Sequence, residues 1–154
     1  MADISYDPNL SVLALSDPDF DRVAANMPNC CVVRIWRVVK QWPEYEEKLR
    51  SLDEGHITTL YHGTRAENVS SIVEEGLRAK HNQRSAFGRG TYFSSEINLS
   101  LYSYTDIAKG LSYVFVCDVI KEFAKRGSGS IFVCAEDDVF APRYVVAFHK
   151  LDRK

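Results

Sequence analysis

The chain has 154 residues, a length that suits one domain with a single hydrophobic core. Its 21 acidic and 19 basic residues give a formal charge of −2, which argues against a general nucleic-acid-binding protein, because phosphate contacts need a basic surplus. The start, MADISYDPNL, lacks the layout of a signal peptide, and no stretch is apolar enough for a transmembrane helix. We therefore expect a protein that works inside the cell, in the cytoplasm or the nucleus, and not at a membrane.

The first third of the chain predicts an arm, a helix, a strand and a second helix. Residues 1–15 show little periodicity, so we expect a loosely attached arm. Ser16 or Asp17 can cap a short helix. Residues 30–40 are rich in valine and isoleucine, which predicts a strand. Pro43 then opens a helix whose glutamates precede its lysine and arginine, as the helix dipole favours.

The middle of the chain carries the clearest local pattern. A strand over 57–61 runs into His62-Gly63-Thr64, and the T-x-x-E spacing from Thr64 to Glu67 predicts a capping box for a helix that Gly76 ends. A polar loop follows. After Gly88-Arg89-Gly90, we predict a short strand at 91–94 and then a helix at 96–104.

Three strands complete the prediction, near residues 111–120, 131–135 and 141–149. Strands outnumber helices, and the last three strands follow one another without helices between them. The predicted fold class is therefore α+β, with mixed, mostly antiparallel sheets and short flanking helices.

The four cysteines predict neither a metal site nor disulfides. Cys30 and Cys31 are adjacent in a strand and so point to opposite faces, whereas Cys117 and Cys134 stand alone in apolar runs. None of these spacings matches a zinc motif, and we expect reduced thiols.

Two segments hold side chains suited to a flat, amide-bearing ring. Gly63 has no Cβ, so its backbone could pair with a carboxamide, although it could also simply make a tight turn. In a helix over 96–104, Ser100 and Tyr104 share one face, near the strand that carries Tyr92. Two rings and a hydroxyl could hold such a heterocycle, but an ordinary core stripe has the same spacing. The glycines of Gly88-Arg89-Gly90 lack the third glycine of the dinucleotide fingerprint.

Taken together, HGTRAENVSSIVEEGL and GRGTYFSSEINLSLY resemble the catalytic domain of the poly(ADP-ribose) polymerase superfamily, the diphtheria-toxin-like ADP-ribosyltransferases. The resemblance extends over roughly residues 12–149. Both segments are most similar to a branch of small mono-ADP-ribosylating enzymes that a C-terminal anchor holds at the endoplasmic reticulum. We expect neither that anchor nor the family's helical regulatory domain here. The resemblance implies one catalytic domain over 1–154, NAD as co-substrate and no metal.

The resemblance also implies where the nicotinamide end of NAD binds. Gly63 is expected to pair its main-chain N–H and C=O with the carboxamide, and Ser100 to add a hydroxyl contact. Tyr92 is expected to stack on the ring, and Tyr104 to close the other side, with Tyr102 as the alternative.

The other end of NAD is assigned in the same way. His62 is expected to hold the hydroxyls of the adenosine-side ribose, with Thr64 beside it. Arg78 and Arg84 lie in the loop that is expected to cover the adenosine and the diphosphate, where a guanidinium can offset phosphate charge.

The resemblance implies a catalytic triad of His62, Tyr92 and a third residue, which is glutamate in polymerising members. Aligning RYVVAF with the family's terminal strand and counting back places Ile131 in that position. Isoleucine accepts no hydrogen bond, so a contact of about 1.5–3 kcal/mol is lost. That corresponds to about one to two orders of magnitude in rate.

The predicted function is an NAD-dependent mono-ADP-ribosyltransferase that acts as a monomer. The acceptor would be a protein side chain such as Asp, Glu or Ser, this chain's own included, and a nucleic-acid end is the alternative. Two other functions stay open. One is a catalytically weak or inactive module that binds NAD or ADP-ribose, and the other is an NAD-dependent RNA 2′-phosphotransferase of similar fold.

Overall fold

The structure is a computed structural model and describes residues 4–27, 30–52, 56–77, 90–96 and 111–150. Eight strands and three α-helices lie within these ranges. In chain order they are β1 (Leu10–Val12), α1 (Pro18–Ala24), β2 (Cys30–Val38), α2 (Pro43–Arg50), β3 (Ile57–Thr64), α3 (Val69–Glu75), β4 (Thr91–Ser94), β5 (Ser112–Ile120), β6 (Lys125–Arg126), β7 (Ile131–Cys134) and β8 (Phe140–Lys150).

All eight strands belong to one sheet, in the order β1-β2-β8-β5-β3-β4-β7-β6. Each pairing between neighbours in this order is antiparallel. The predicted α+β class with a mostly antiparallel sheet and short helices is confirmed.

Each face of the sheet buries an apolar cluster because side chains alternate along the strands. The α3 face, named after the helix that covers it, includes Leu60, Phe93 and Phe115 together with Val69 and Val73 of α3. The α1 face lies under α1 and includes these residues: Val23, Tyr61, Val114 and Val146. Successive residues of β3 and β5 therefore belong to opposite faces.

The prediction of a loose arm over residues 1–15 is wrong for the residues that the structure describes. Leu10 lies opposite Val38 in the pairing of β1 with β2. Ile4, Leu10 and Leu13 are only 5%, 7% and 5% exposed, so the segment contributes to both apolar clusters. These residues are too widely spaced to give a helical or strand period, and the pairing with β2 is not local. Sequence periodicity therefore had no signal to detect.

The helix boundaries are confirmed in part. Asp17 caps α1, its Oδ1 accepting a hydrogen bond from the backbone N–H of Asp19 at 2.9 Å. The capping box before α3 is wrong. Thr64 is the last residue of β3, its hydroxyl donates to the Arg65 carbonyl, and a 3-10 turn precedes the helix. Gly76 ends α3 as predicted, with a φ of 85°.

The four cysteines are free thiols in the structure. Burial raises the pKa of Cys117 and raises that of Cys134 to about 12, so both stay protonated. Within the described ranges no group of three metal-ligating side chains occurs. None of the helices described there is long and apolar enough to span a membrane.

Candidate functional site

Two of the predicted site residues, His62 and Tyr92, lie where β3 and β4 diverge. The two strands pair at one position, Tyr61 opposite Ser94. By contrast, β3 pairs with β5 over its whole length, and β4 pairs with β7 over its whole length. The sheet therefore has two well-paired parts, β1-β2-β8-β5-β3 and β4-β7-β6. Past their one shared pair, β3 continues through residues 62–64 without pairing with residues 91–93 of β4.

The side chain of His62 spans this divergence. Its Nδ1 lies 2.8 Å from the backbone carbonyl oxygen of Tyr92. The imidazole ring also meets the ring of Phe93 edge to face, with centroids 5.8 Å apart. A histidine on β3 thus contacts two successive residues of β4.

The surroundings of His62 fix its protonation state. Desolvation by burial lowers its pKa, and the hydrogen bond to the Tyr92 carbonyl opposes this shift less strongly. The ring is therefore neutral at pH 7. Because a carbonyl oxygen only accepts, the proton must sit on Nδ1, and Nε2 keeps its lone pair. His62 can thus accept a hydrogen bond at Nε2 from a hydroxyl such as that of a ribose.

Tyr92 and Ile131 lie on one face of the sheet. Tyr92 is opposite Val133, and Ser94 is opposite Ile131, in the pairing of β4 with β7. Alternation along the strands places these four side chains together, on the side away from Phe93. Tyr92 and Ile131 are then diagonal neighbours on adjacent strands. An aromatic side chain is long enough to contact its diagonal neighbour. The side chain of Ile131 brings no polar atom to this face.

Glycine is required at position 90 for packing. A Cβ there would lie 2.5 Å from the backbone oxygen of Cys134 and 2.8 Å from Cγ1 of Val133. The φ of Gly90 is 156°. The start of β4 can therefore approach β7 only without a side chain at this position, which holds Tyr92 in register with Val133.

The remaining predicted site residues divide into two groups. Gly63 and Thr64 are buried at the end of β3, next to His62. The other group lies outside the described residues: Arg78, Arg84, Ser100, Tyr102 and Tyr104.

Sequence reasoning missed a polar network on the α1 face. Tyr144 of β8 lies in a cross-strand row with Val116 and Tyr61. Its hydroxyl donates to Oδ2 of Asp19 at 3.1 Å and accepts from Nη2 of Arg22 at 2.9 Å. The i, i+3 spacing of Asp19 and Arg22 in a predicted helix was the only available signal. It indicates an ion pair within α1, not a contact with β8.

A second residue that was missed is Thr91, which precedes Tyr92 on β4. The residue is 1% exposed, and its hydroxyl has no hydrogen-bond partner among the described residues. Alternation places Thr91 on the side of β4 that faces Phe93 and His62. A threonine at the start of a strand is ordinary in composition, so the sequence carried no signal for this site.

The family model described as "Poly(ADP-ribose) polymerase catalytic domain" matches residues 20–121, more than half of the chain. Two relatives, each named "Protein mono-ADP-ribosyltransferase PARP16", come from Mus musculus and Homo sapiens. Both are 38% identical over 75 residues, which cover 44% of this chain and 23% of the relative. "Protein mono-ADP-ribosyltransferase PARP3" of Gallus gallus is 31% identical over 90 residues, covering 57% of this chain and 16% of the relative. The matched segments thus span less than a quarter of these relatives.

Proposed function

Because the chain belongs to the poly(ADP-ribose) polymerase catalytic domain family, we propose that it is an NAD-dependent mono-ADP-ribosyltransferase. The bond between nicotinamide and ribose C1′ of NAD breaks, and a nucleophile of the acceptor forms a new bond to C1′. Nicotinamide leaves, and the acceptor loses its proton. The observation that carries the proposal is the contact between His62 and Tyr92, which joins the two motif segments at the divergence of β3 and β4. The names of the relatives support the same activity.

The histidine chemistry supports a specific orientation of NAD. Nε2 of His62 accepts from a hydroxyl of the adenosine-side ribose, because Nδ1 is committed to the Tyr92 carbonyl. Gly63 lies past the last pair between β3 and β4, where its backbone can pair with the carboxamide. Tyr92 stacks on the nicotinamide ring, which adds about 0.5–1.5 kcal/mol beyond burial. The other proposed contacts come from these residues: Thr64, Arg78, Arg84, Ser100 and Tyr104, with Tyr102 as the alternative to Tyr104.

Ile131 is proposed as the third residue of the triad. It shares a face with Tyr92, but it cannot hydrogen-bond the nicotinamide ribose or activate an acceptor. A charge-assisted hydrogen bond at that position would contribute about 1.5–3 kcal/mol. Without it, chain elongation is disfavoured, and the acceptor must supply its own base, as a carboxylate side chain can. Single-unit transfer follows.

The test is incubation with NAD, with free nicotinamide and the protein mass followed together. We expect nicotinamide release and an adduct of about 541 Da per ADP-ribose unit. His62→Ala and Tyr92→Ala should each reduce release about 2- to 12-fold, since each removes a contact to NAD of about 0.5–1.5 kcal/mol. His56→Ala and Tyr6→Ala are the matched controls, because both side chains are exposed. Wild-type release by both site variants would refute the assignment.

A separate variant tests the third triad position. Ile131→Glu restores a carboxylate, and we expect faster NAD hydrolysis or short chains of ADP-ribose. Ile131→Gln is the control, because glutamine resembles glutamate in polarity and length but carries no charge. If Ile131→Glu gives the wild-type products at the wild-type rate, Ile131 does not occupy that position.

A second candidate function is a catalytically weak or inactive module that binds NAD or ADP-ribose. The aliphatic side chain of Ile131 favours it, because the site then lacks a group to activate an acceptor. Calorimetry with NAD separates the two functions. Heat of binding without any nicotinamide release supports the binding module, and release supports the transferase.

We also propose that the acceptor is a protein side chain and that the chain acts as a monomer inside the cell. The four free cysteines support an intracellular location, because reducing compartments keep thiols unpaired. Light scattering should give a mass near 17.5 kDa. Digestion of the labelled protein and its acceptor, followed by mass spectrometry, identifies the modified side chain.

A further inference from the structure

We infer that His62 has a second role, as a positioning residue that joins the two parts of the sheet and fixes Tyr92 between them. The parts are β1-β2-β8-β5-β3 and β4-β7-β6, and among the described residues the only strand pairing between them is that of Tyr61 with Ser94. One pair of residues leaves two strands free to rotate about it, whereas a full ladder holds them rigidly. The hydrogen bond from His62 Nδ1 to the Tyr92 carbonyl is a second attachment between the two parts, at a residue of β4 two positions before Ser94.

Apolar packing alone does not provide this attachment. The ring of Phe93 meets the ring of Phe140, at the start of β8, with centroids 5.1 Å apart. Burial of these two rings is favourable, but apolar burial is not directional, so it tolerates sliding of one ring along the other. A hydrogen bond with a 2.8 Å separation tolerates little change in distance or angle. His62 therefore sets the position of β4 relative to β3, and with it the position of the Tyr92 backbone.

The two nitrogens of the ring divide the two roles. Nδ1 carries the proton and holds β4, which leaves Nε2 as the acceptor for a ligand hydroxyl. An ordered β4 and a correctly protonated acceptor thus depend on the same hydrogen bond. Loss of this bond would release Tyr92 and also free the ring to adopt the other tautomer, with Nε2 as a donor.

Two substitutions separate these roles, because the amide nitrogen of asparagine can replace Nδ1 as a donor, and the amide oxygen of glutamine can replace Nε2 as an acceptor. The amide nitrogen of asparagine is as many bonds from Cα as Nδ1, so His62→Asn can keep the hydrogen bond to Tyr92. The amide group of glutamine extends as far as Nε2, so His62→Gln keeps a polar group there and loses the bond to Tyr92. His56→Gln, at an exposed histidine just before β3, is the control for a histidine-to-glutamine change.

Hydrogen exchange of the ligand-free protein, read by mass spectrometry, tests the structural role. A hydrogen bond of ordinary strength changes the opening equilibrium about 2- to 12-fold. We expect His62→Gln to accelerate exchange in 91–94 and 131–134 by that factor, with 112–120 unchanged. His62→Asn and His56→Gln should exchange like the wild type. Equal exchange in His62→Gln and the wild type overturns the inference, as does acceleration that includes 112–120 to the same degree.

NAD binding provides the second readout, and this part rests on the proposed function. His62→Asn lacks the Nε2 acceptor, so its Kd for NAD should rise about 2- to 12-fold while its exchange stays at the wild-type level. If the wild type binds no NAD but the exchange pattern holds, the proposed function fails and the positioning role stands. If nicotinamide is released normally but His62→Gln leaves exchange unchanged, the positioning role fails and the proposed function stands.

Discussion

Replacing Gly90 with alanine would place a methyl group against the backbone of β7. The new Cβ would lie 2.5 Å from the Cys134 oxygen and 2.8 Å from Cγ1 of Val133, closer than real contacts allow. Overpacking of this kind costs about 1–3 kcal/mol. The φ of 156° adds about 1–3 kcal/mol, because residues other than glycine rarely adopt it. We therefore expect Gly90→Ala to lower the free energy of unfolding by about 2–6 kcal/mol.

Thermal unfolding followed by circular dichroism measures this loss. For a domain of this size each kcal/mol corresponds to about 2–4 °C, so Tm should fall by at least about 4 °C. Gly129→Ala is the control, since Gly129 has a φ of 55° and an added Cβ there would meet nothing within 4 Å. Gly129→Ala should cost only about 1–2 kcal/mol, from the left-handed backbone. If the two variants unfold at the same temperature, the close approach of β4 to β7 is not limited by residue 90.

Three further outcomes follow, two from protonation states and one from burial. Burial lowers the pKa of His62 below its usual 6.5. Nicotinamide release should therefore be constant above about pH 6.5 and should decrease at lower pH, as Nε2 is protonated. A decrease that starts above pH 7 would contradict this assignment. Hydrogen bonds, first from Arg37, lower the pKa of Asp19 from 3.8 to about 2, so its carboxylate stabilises the fold above about pH 4 and this contribution is lost as pH falls through 2. Asp19→Asn should therefore reduce the free energy of unfolding at pH 7 but not at pH 2, and an equal loss at both would be the contrary result. Cys31 is exposed and should react with a thiol reagent in the native protein, whereas the two buried cysteines should react only after unfolding; four rapidly reacting thiols would argue against the buried positions.

The elements that the sequence predicted well are those with local signals. The apolar spacing of Val69, Ile72 and Val73 marks α3, and Gly76 marks its end. Long apolar runs mark β5 and β8 in the same way. By contrast, Thr64 and Glu67 match a capping box, yet pairing with β5 extends β3 through Thr64 and removes it from the capping position. Tertiary pairing overrode the local signal there.

The candidate site shows the same division. The motifs identify His62 and Tyr92 as residues, but they do not reveal that Nδ1 of one meets the carbonyl of the other, across 30 residues of sequence. The contact between Tyr144 and Asp19 spans 125 residues and depends on the position of β8 in the sheet. Such contacts depend on strand order and register, which residue types along one strand do not encode. The place of Ile131 in the triad rests on counted spacing and stays a prediction.

The position of β8 has a consequence for synthesis of the protein on the ribosome. β8 is the last described strand along the chain, yet it lies between β2 and β5. Until residues 140–150 have left the exit tunnel, both neighbours keep an unsatisfied edge, and that of β5 belongs to an almost entirely apolar strand. Such edges invite aggregation, so the nascent chain should depend on chaperones until β8 is available.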